Sequence, residues 1–187
     1  MGAFGTSRME PTEPGRARLM RVYCPTTVDD LAAALVSGVL GESSGVPAHA
    51  VTPAVREWYI EGDSEELEFA VLLEAAEASL RLIAADPKAR PRRVVLAADV
   101  DDAEVTPVSG RFRSTVTLAR PLPLSQVVSA HTDEKAAEKA VADAVGSLDR
   151  ADAGDDDAQF VLDEAEAQDL LWFDASELQA LVQGDES

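Results

Sequence analysis

The sequence predicts an α+β fold: one domain, with a mixed β-sheet of about five or six strands flanked by helices. Three observations carry this. Arg92-Arg93-Val94-Val95-Leu96-Ala97-Ala98-Asp99-Val100 holds five consecutive apolar residues led by β-formers, the pattern of a central strand buried on both faces. Residues 64–85 repeat apolar side chains at helical spacing. Strands and helices interleave early, strands cluster mid-chain, and helices return, an order that suits a sheet covered by helices.

Residues 1–19 mix Gly, Pro, Ser, Thr and Arg without periodicity and predict a disordered tail, so that a start at Met20 would lose nothing foldable. The globular part is expected over 20–182, with 183–187 frayed. Arg21-Val22-Tyr23-Cys24 reads as a strand stopped by Pro25. Thr27 is placed to cap a helix that ends before Gly38, with Asp29 and Asp30 at its positive end. Ala48 to Val51 reads as a short strand. Thr52-Pro53 then resembles an N-cap followed by proline at the first helical position.

Asp63 and Glu66 form a capping-box pattern for the long helix at 64–85. Its expected apolar stripe is Phe69, Leu72, Leu73, Ala76, Leu80 and Ile83. Asp86-Pro87 ends it. The central strand follows, then residues 112–119 as a second strand nearer an edge, and 126–131 as a third. Residues 133–148 and 157–166 read as helices, the second with Phe160, Val161 and Ala165 inward. Leu170-Leu171-Trp172-Phe173 is the last strand, and Asp174 with Glu177 repeats the capping pattern before a closing helix.

The 187 residues, 46% hydrophobic and 27% charged, suffice for one domain with a core. The single cysteine, Cys24, excludes an internal disulfide and multi-cysteine metal sites, and two histidines, His49 and His131, leave little for a histidine site. No apolar run approaches the roughly 20 residues that span a bilayer, and no signal peptide is visible, so the expected location is cytoplasmic. The net charge of −19 would repel nucleic acid and anionic membranes, so neither is an expected partner. The charge is uneven: residues 133–187 carry −14, whereas 87–120 carry +3.

Few motifs point to chemistry. There is no GxGxxG, no P-loop and no G-x-S-x-G elbow. Asp149–Asp157 fails the EF-hand pattern, because Ala151, Ala153 and Phe160 fall at ligand positions. It reads as a solvated loop feeding a helix, and no metal is expected. Asp99, Asp101, Asp102 and Glu104 follow the central strand but lack a phosphate loop beside them, so they read as a charged turn. No catalytic residue and no cofactor is assigned.

The cluster worth following is Tyr23, Thr26, Thr27, His49, Thr52, Arg56, Trp58 and Tyr59. If the first two strands were parallel neighbours, two threonine-capped helix N-termini would converge with Arg56 to hold an anion. The expected ligand-binding residues are thus Thr26, Thr27, His49, Thr52, Arg56 and Tyr59. The simpler reading is that the threonines cap and the aromatics fill the core. Likewise Lys88, Arg90, Arg92, Arg93, Arg111, Arg113 and Arg120 form a basic island best read as neutralising the acidic C-terminal third.

The segments MRVYCPTTVDDLAAAL, AHAVTPAVREWY, RRVVLAADV and DLLWFDASEL together resemble a family of short uncharacterised actinobacterial proteins, from Met20 to about Leu181. The resemblance implies a single cytoplasmic domain and carries over no activity. Two functional readings follow. The first is a non-enzymatic interaction protein presenting an acidic helical surface to a protein partner. The second is a binder or enzyme for a small anionic ligand near Thr27, Thr52 and Arg56.

Overall fold

A computed structural model describes residues 18–59 and 63–184. Most of the expected tail and the last three residues therefore lie outside the described part. Among the described residues, nine strands and six α-helices form in the order β1 (Leu19–Thr26), α1 (Val28–Ser37), β2 (Val39–Leu40), β3 (Val46–Ala50), α2 (Pro53–Trp58), α3 (Ser64–Ala85), β4 (Val94–Asp101), β5 (Val105–Pro107), β6 (Thr115–Leu118), β7 (Leu122–Pro123), β8 (Val127–Asp133), α4 (Glu138–Asp152), α5 (Asp156–Glu166), β9 (Leu170–Asp174) and α6 (Leu178–Gln183).

The α+β class holds. The main sheet is larger than expected, with seven strands in the order β5-β6-β3-β1-β4-β8-β9, and β2 pairs with β7 apart from it. Every pairing is antiparallel. The early strands are thus not parallel neighbours. β1 lies between β3 and β4 and runs against both, because α2 and α3 carry the chain from β3 over β1 to β4. Strand β1 begins at Leu19, opposite Asp101, so a start at Met20 would remove its first residue.

Strand β4 is buried on both faces. Val94, Leu96, Ala98 and Val100 join a core with α1, α6 and the small sheet, while Val95 and Ala97 face α3 with Tyr23, Val71 and Ala75. A third core ties the C-terminal half of α3 to α4 and α5 through Leu80, Ile83, Val141, Ala144, Leu148 and Leu162. Each fully buried Leu or Val side chain contributes about 1.5–3 kcal/mol by leaving water.

The caps form as the sequence predicts. Thr27 accepts the Asp30 N–H, Thr52 accepts the Val55 N–H, and Asp63 with Glu66 completes a capping box. Gly38 ends α1 at φ 83°, where any side chain would be strained. Two helical faces differ from expectation. The buried row of α3 is Leu67, Val71, Leu72, Ala75, Ala76, Ser79, Leu80 and Ile83, while Phe69 and Leu73 are exposed. Each lies two residues, about 200°, beyond a buried neighbour. In α5 the buried residues are Ala158, Leu162 and Ala165, and Phe160 points away from them to solvent.

Two buried polar nodes fix the strands. Ser79 donates to Thr26 O at 2.7 Å and accepts the Val94 N–H at 2.9 Å, so α3 clasps the paired ends of β1 and β4. Arg93 and Asp133, 2% and 0% exposed, pair at 2.6 Å, and Asp133 also accepts the Arg93 backbone N–H. Removing one partner of such a pair costs about 3–5 kcal/mol, because the other charge stays buried alone. Three more members of the basic island form ion pairs, mostly outside the C-terminal third: Arg90 with Asp29, Arg120 with Glu104, and Arg111 with Glu77 and Asp152. The acidic turn is similarly occupied, since Asp99 pairs with Arg21 and Asp101 caps the turn after β4.

Candidate functional site

The antiparallel sheet separates the expected anion-binding residues. Thr27 follows the end of β1 and Thr52 the end of β3, so they stand at opposite ends of the sheet. Extending the Val22–Ala50 register places Thr52 beside Met20. Seven residues of strand, roughly 20 Å, then lie between it and Thr27. Both hydroxyls are engaged: Thr27 donates to Asp30 at 2.9 Å, and Thr52 donates to Arg113 O at 2.8 Å.

The remaining members spread over different concavities. Thr26 lines a cleft of about 400 Å³ between α1, β2 and the facing ends of β1 and β3, together with Pro25 and Pro47. Thr52 lines an open groove of about 730 Å³ with Arg111, Arg113 and Ser109. Arg56 lines a recess of about 160 Å³ with Arg18, Arg21, Glu68 and Asp102. Tyr59 ends α2 at the surface. Trp58 is 63% exposed, with the Arg113 guanidinium 4.1 Å above its ring. Tyr23 is buried and donates to Glu68, and desolvation, then the Glu68 charge, raise its pKa to about 12.

His49 is buried against the Phe112 ring. The Ser114 hydroxyl donates to Glu74, so its oxygen accepts from His49 Nδ1 at 2.7 Å, and the Nδ1–H tautomer follows. Burial holds the imidazole pKa down to about 4. A relay needs the base between nucleophile and carboxylate. Here the serine stands between, and it is fully buried. The chain Glu74–Ser114–His49 joins α3, β3 and the loop before β6 and reads as a structural link. Cys24 is likewise buried, and desolvation raises its thiol to about 12, which leaves it protonated and unreactive at neutral pH.

A different place gathers exposed apolar groups. A groove of about 490 Å³ runs between α3 and β9, lined by Phe69, Leu72, Leu73, His131, Leu170 and Trp172. Phe69 is 61% and Trp172 60% exposed. Its charged rim is acidic, from Glu166 and Asp169, and no Lys or Arg among the described residues lines it. Desolvation, then the nearby Arg21 charge, lower the His131 pKa, so that ring is neutral at pH 7. Strand β9 forms one edge of the sheet.

A model of a family of unknown function, DUF6912, matches residues 20–182. The chain belongs to this family. The DUF6912 domain thus runs from β1 into α6, and the groove beside β9 lies inside it. Comparisons with curated proteins and with solved structures find no match.

Sequence reasoning missed this groove. Its signal was present in Leu170-Leu171-Trp172-Phe173, which is apolar at every position instead of alternating. That pattern belongs to a strand buried on both faces, yet Leu171 and Trp172 of β9 are exposed, and among the described residues the strand pairs with β8 alone.

Proposed function

We propose that the chain is a protein-interaction module that docks a basic and apolar segment of a partner polypeptide in the groove between α3 and β9. The observation that carries this reading is the convergence of Phe69, Leu73 and Trp172, all exposed, on one concavity with an acidic rim. Exposed apolar residues scattered singly are ordinary, whereas a contiguous set with a polar border marks a contact surface. Aromatic anchors of this kind supply most of the energy of protein contacts. Glu166 and Asp169 favour a cationic partner, and no helix among the described residues is long and apolar enough to cross a membrane.

The anionic-ligand reading keeps weaker support. The groove that Thr52 lines holds two arginines, but Arg111 is paired with Glu77 and Asp152, and Arg113 stacks on Trp58.

Panning a random peptide library over the purified protein, with counter-selection on the Phe69→Ser/Trp172→Ser double variant, tests the proposal. Both positions are exposed, so the variant keeps the fold. The expected result is enrichment of peptides combining Lys or Arg with apolar residues, which the double variant binds roughly tenfold more weakly or worse. Enrichment of only those peptides that the variant retains equally would overturn it.

A further inference from the structure

Strand β9 offers more than a greasy face. Backbone groups in an antiparallel ladder alternate between the two sides of a strand. The Asp133 N–H donates to Arg93 O, toward β4. Its β8 neighbours Thr132 and Ala130 therefore turn toward β9, where they oppose Leu171 and Phe173. It follows that the amide and carbonyl of Trp172 and Leu170 face away from the sheet. Asp174 agrees with the alternation, because its N–H is taken by the Glu177 carboxylate at 2.8 Å instead of by β8.

The two edges of the sheet are treated differently. At the far edge β5 has three residues and ends in Pro107, which lacks an N–H. Short strands and edge prolines are the usual means of blocking an edge. Strand β9 has five residues, no proline and no basic residue, and Trp172 lies on the groove side of it.

We infer that the partner segment binds as an eighth strand, antiparallel to β9, with the pattern basic–x–apolar–x–basic over the groove. This rests on the docking face proposed above. Strand addition uses main-chain hydrogen bonds for affinity and alternate side chains for specificity. The residue opposite Trp172 exchanges two backbone hydrogen bonds with it, and its side chain falls over the aromatic cluster. Residues two places to either side project onto the same face. One lies opposite Asp174, whose carboxylate also caps Ser176, and the other lies opposite Leu170, beside the Glu166 and Asp169 rim of the groove, so that a cation suits both places. A second copy of this chain is a poor occupant, since its own β9 brings the same carboxylates and a net charge of −19.

The test uses the full chain with Trp58→Phe, so that Trp172 alone reports. The probe is the heptapeptide Thr-Lys-Thr-Val-Thr-Lys-Thr, acetylated and amidated, in three forms: unmodified, N-methylated at the central valine, and N-methylated at the adjacent threonine. The valine amide would point at β9 and the threonine amide away from it. The expected result is a saturable one-to-one change in Trp172 fluorescence with the unmodified and threonine-methylated peptides. Methylation at valine should weaken binding roughly tenfold or more. Equal binding of all three would overturn strand addition while leaving a side-chain docking face. No binding of the unmodified peptide would overturn the pattern inferred here, and library panning would then judge the docking face by itself.

Discussion

His49 shows what burial does to a titratable residue. The fold keeps its ring neutral between Ser114 and Phe112, and burial holds its pKa at about 4 against an ordinary 6.5. Between those values the unfolded chain binds a proton that the folded chain refuses. Stability from this group is therefore complete above pH 6.5 and is lost as pH falls toward 4. At about 1.4 kcal/mol per pKa unit, the full loss is about 3 kcal/mol. In His49→Asn the amide can still donate to Ser114 but cannot take a proton. Urea unfolding at a series of pH values should show wild type losing about 3 kcal/mol more than the variant between pH 6.5 and 4. Parallel curves for the two proteins would assign the acid sensitivity elsewhere. The alanines flanking His49 made its burial legible in the sequence. Its partners were not, because Ser114 lies 65 positions away and local periodicity carries no record of such pairs.

Strands β1 and β3 show how two residues can open a gap between elements that otherwise pair. The ladder between them covers Val22–Ala50 and Tyr23–His49 and then stops. Continuing the register puts Pro25 opposite Pro47. The Ala50 N–H donates to Ser114 O, so Pro47 turns its nitrogen to β1, and the Asp102 N–H donates to Arg18 O, so Pro25 turns its nitrogen to β3. Both missing donors thus fall at one rung, and the cleft of about 400 Å³ opens there. Strand β1 nonetheless continues to Thr26, because β4 pairs with it along its whole length. Proline read locally as a stop was therefore a stop on one side only. In Pro47→Val the new amide can donate to the Pro25 carbonyl. Hydrogen exchange should find that amide as protected as its neighbours in β3, and exchange at the rate of an open loop would refute the rung. The exposed Phe69 and Leu73 teach a similar lesson for helices. Helical spacing alone placed them on the buried stripe of α3, but a long helix has two apolar rows, and packing on the sheet used the other.

At the scale of the whole molecule, the sequence made the class, the capped helices and the doubly covered β4 legible, because each rests on local pattern. Strand order did not follow from it, and the expected convergence of Thr27 and Thr52 fell with the assumption of parallel neighbours. What the intact fold presents is an open edge at β9 inside a chain of net charge −19. An apolar edge invites pairing with another copy, and like charge opposes it. Both Asp169 and Asp174 bracket the strand, so two copies aligned through Trp172 would bring four carboxylates together. Salt shifts this balance without altering the fold, since the Debye length falls from about 8 Å at physiological strength to about 3 Å at 1 M. Sedimentation at neutral pH should accordingly show a monomer in dilute buffer and self-association in 1 M NaCl. Trp172→Pro is the informative variant. Its lost N–H faces outward, so the β8 ladder stays whole while the edge is blocked. That variant should stay monomeric at both salt concentrations. Equal association of Trp172→Pro in 1 M NaCl would place the sticky surface away from β9 and overturn the open edge as a contact surface.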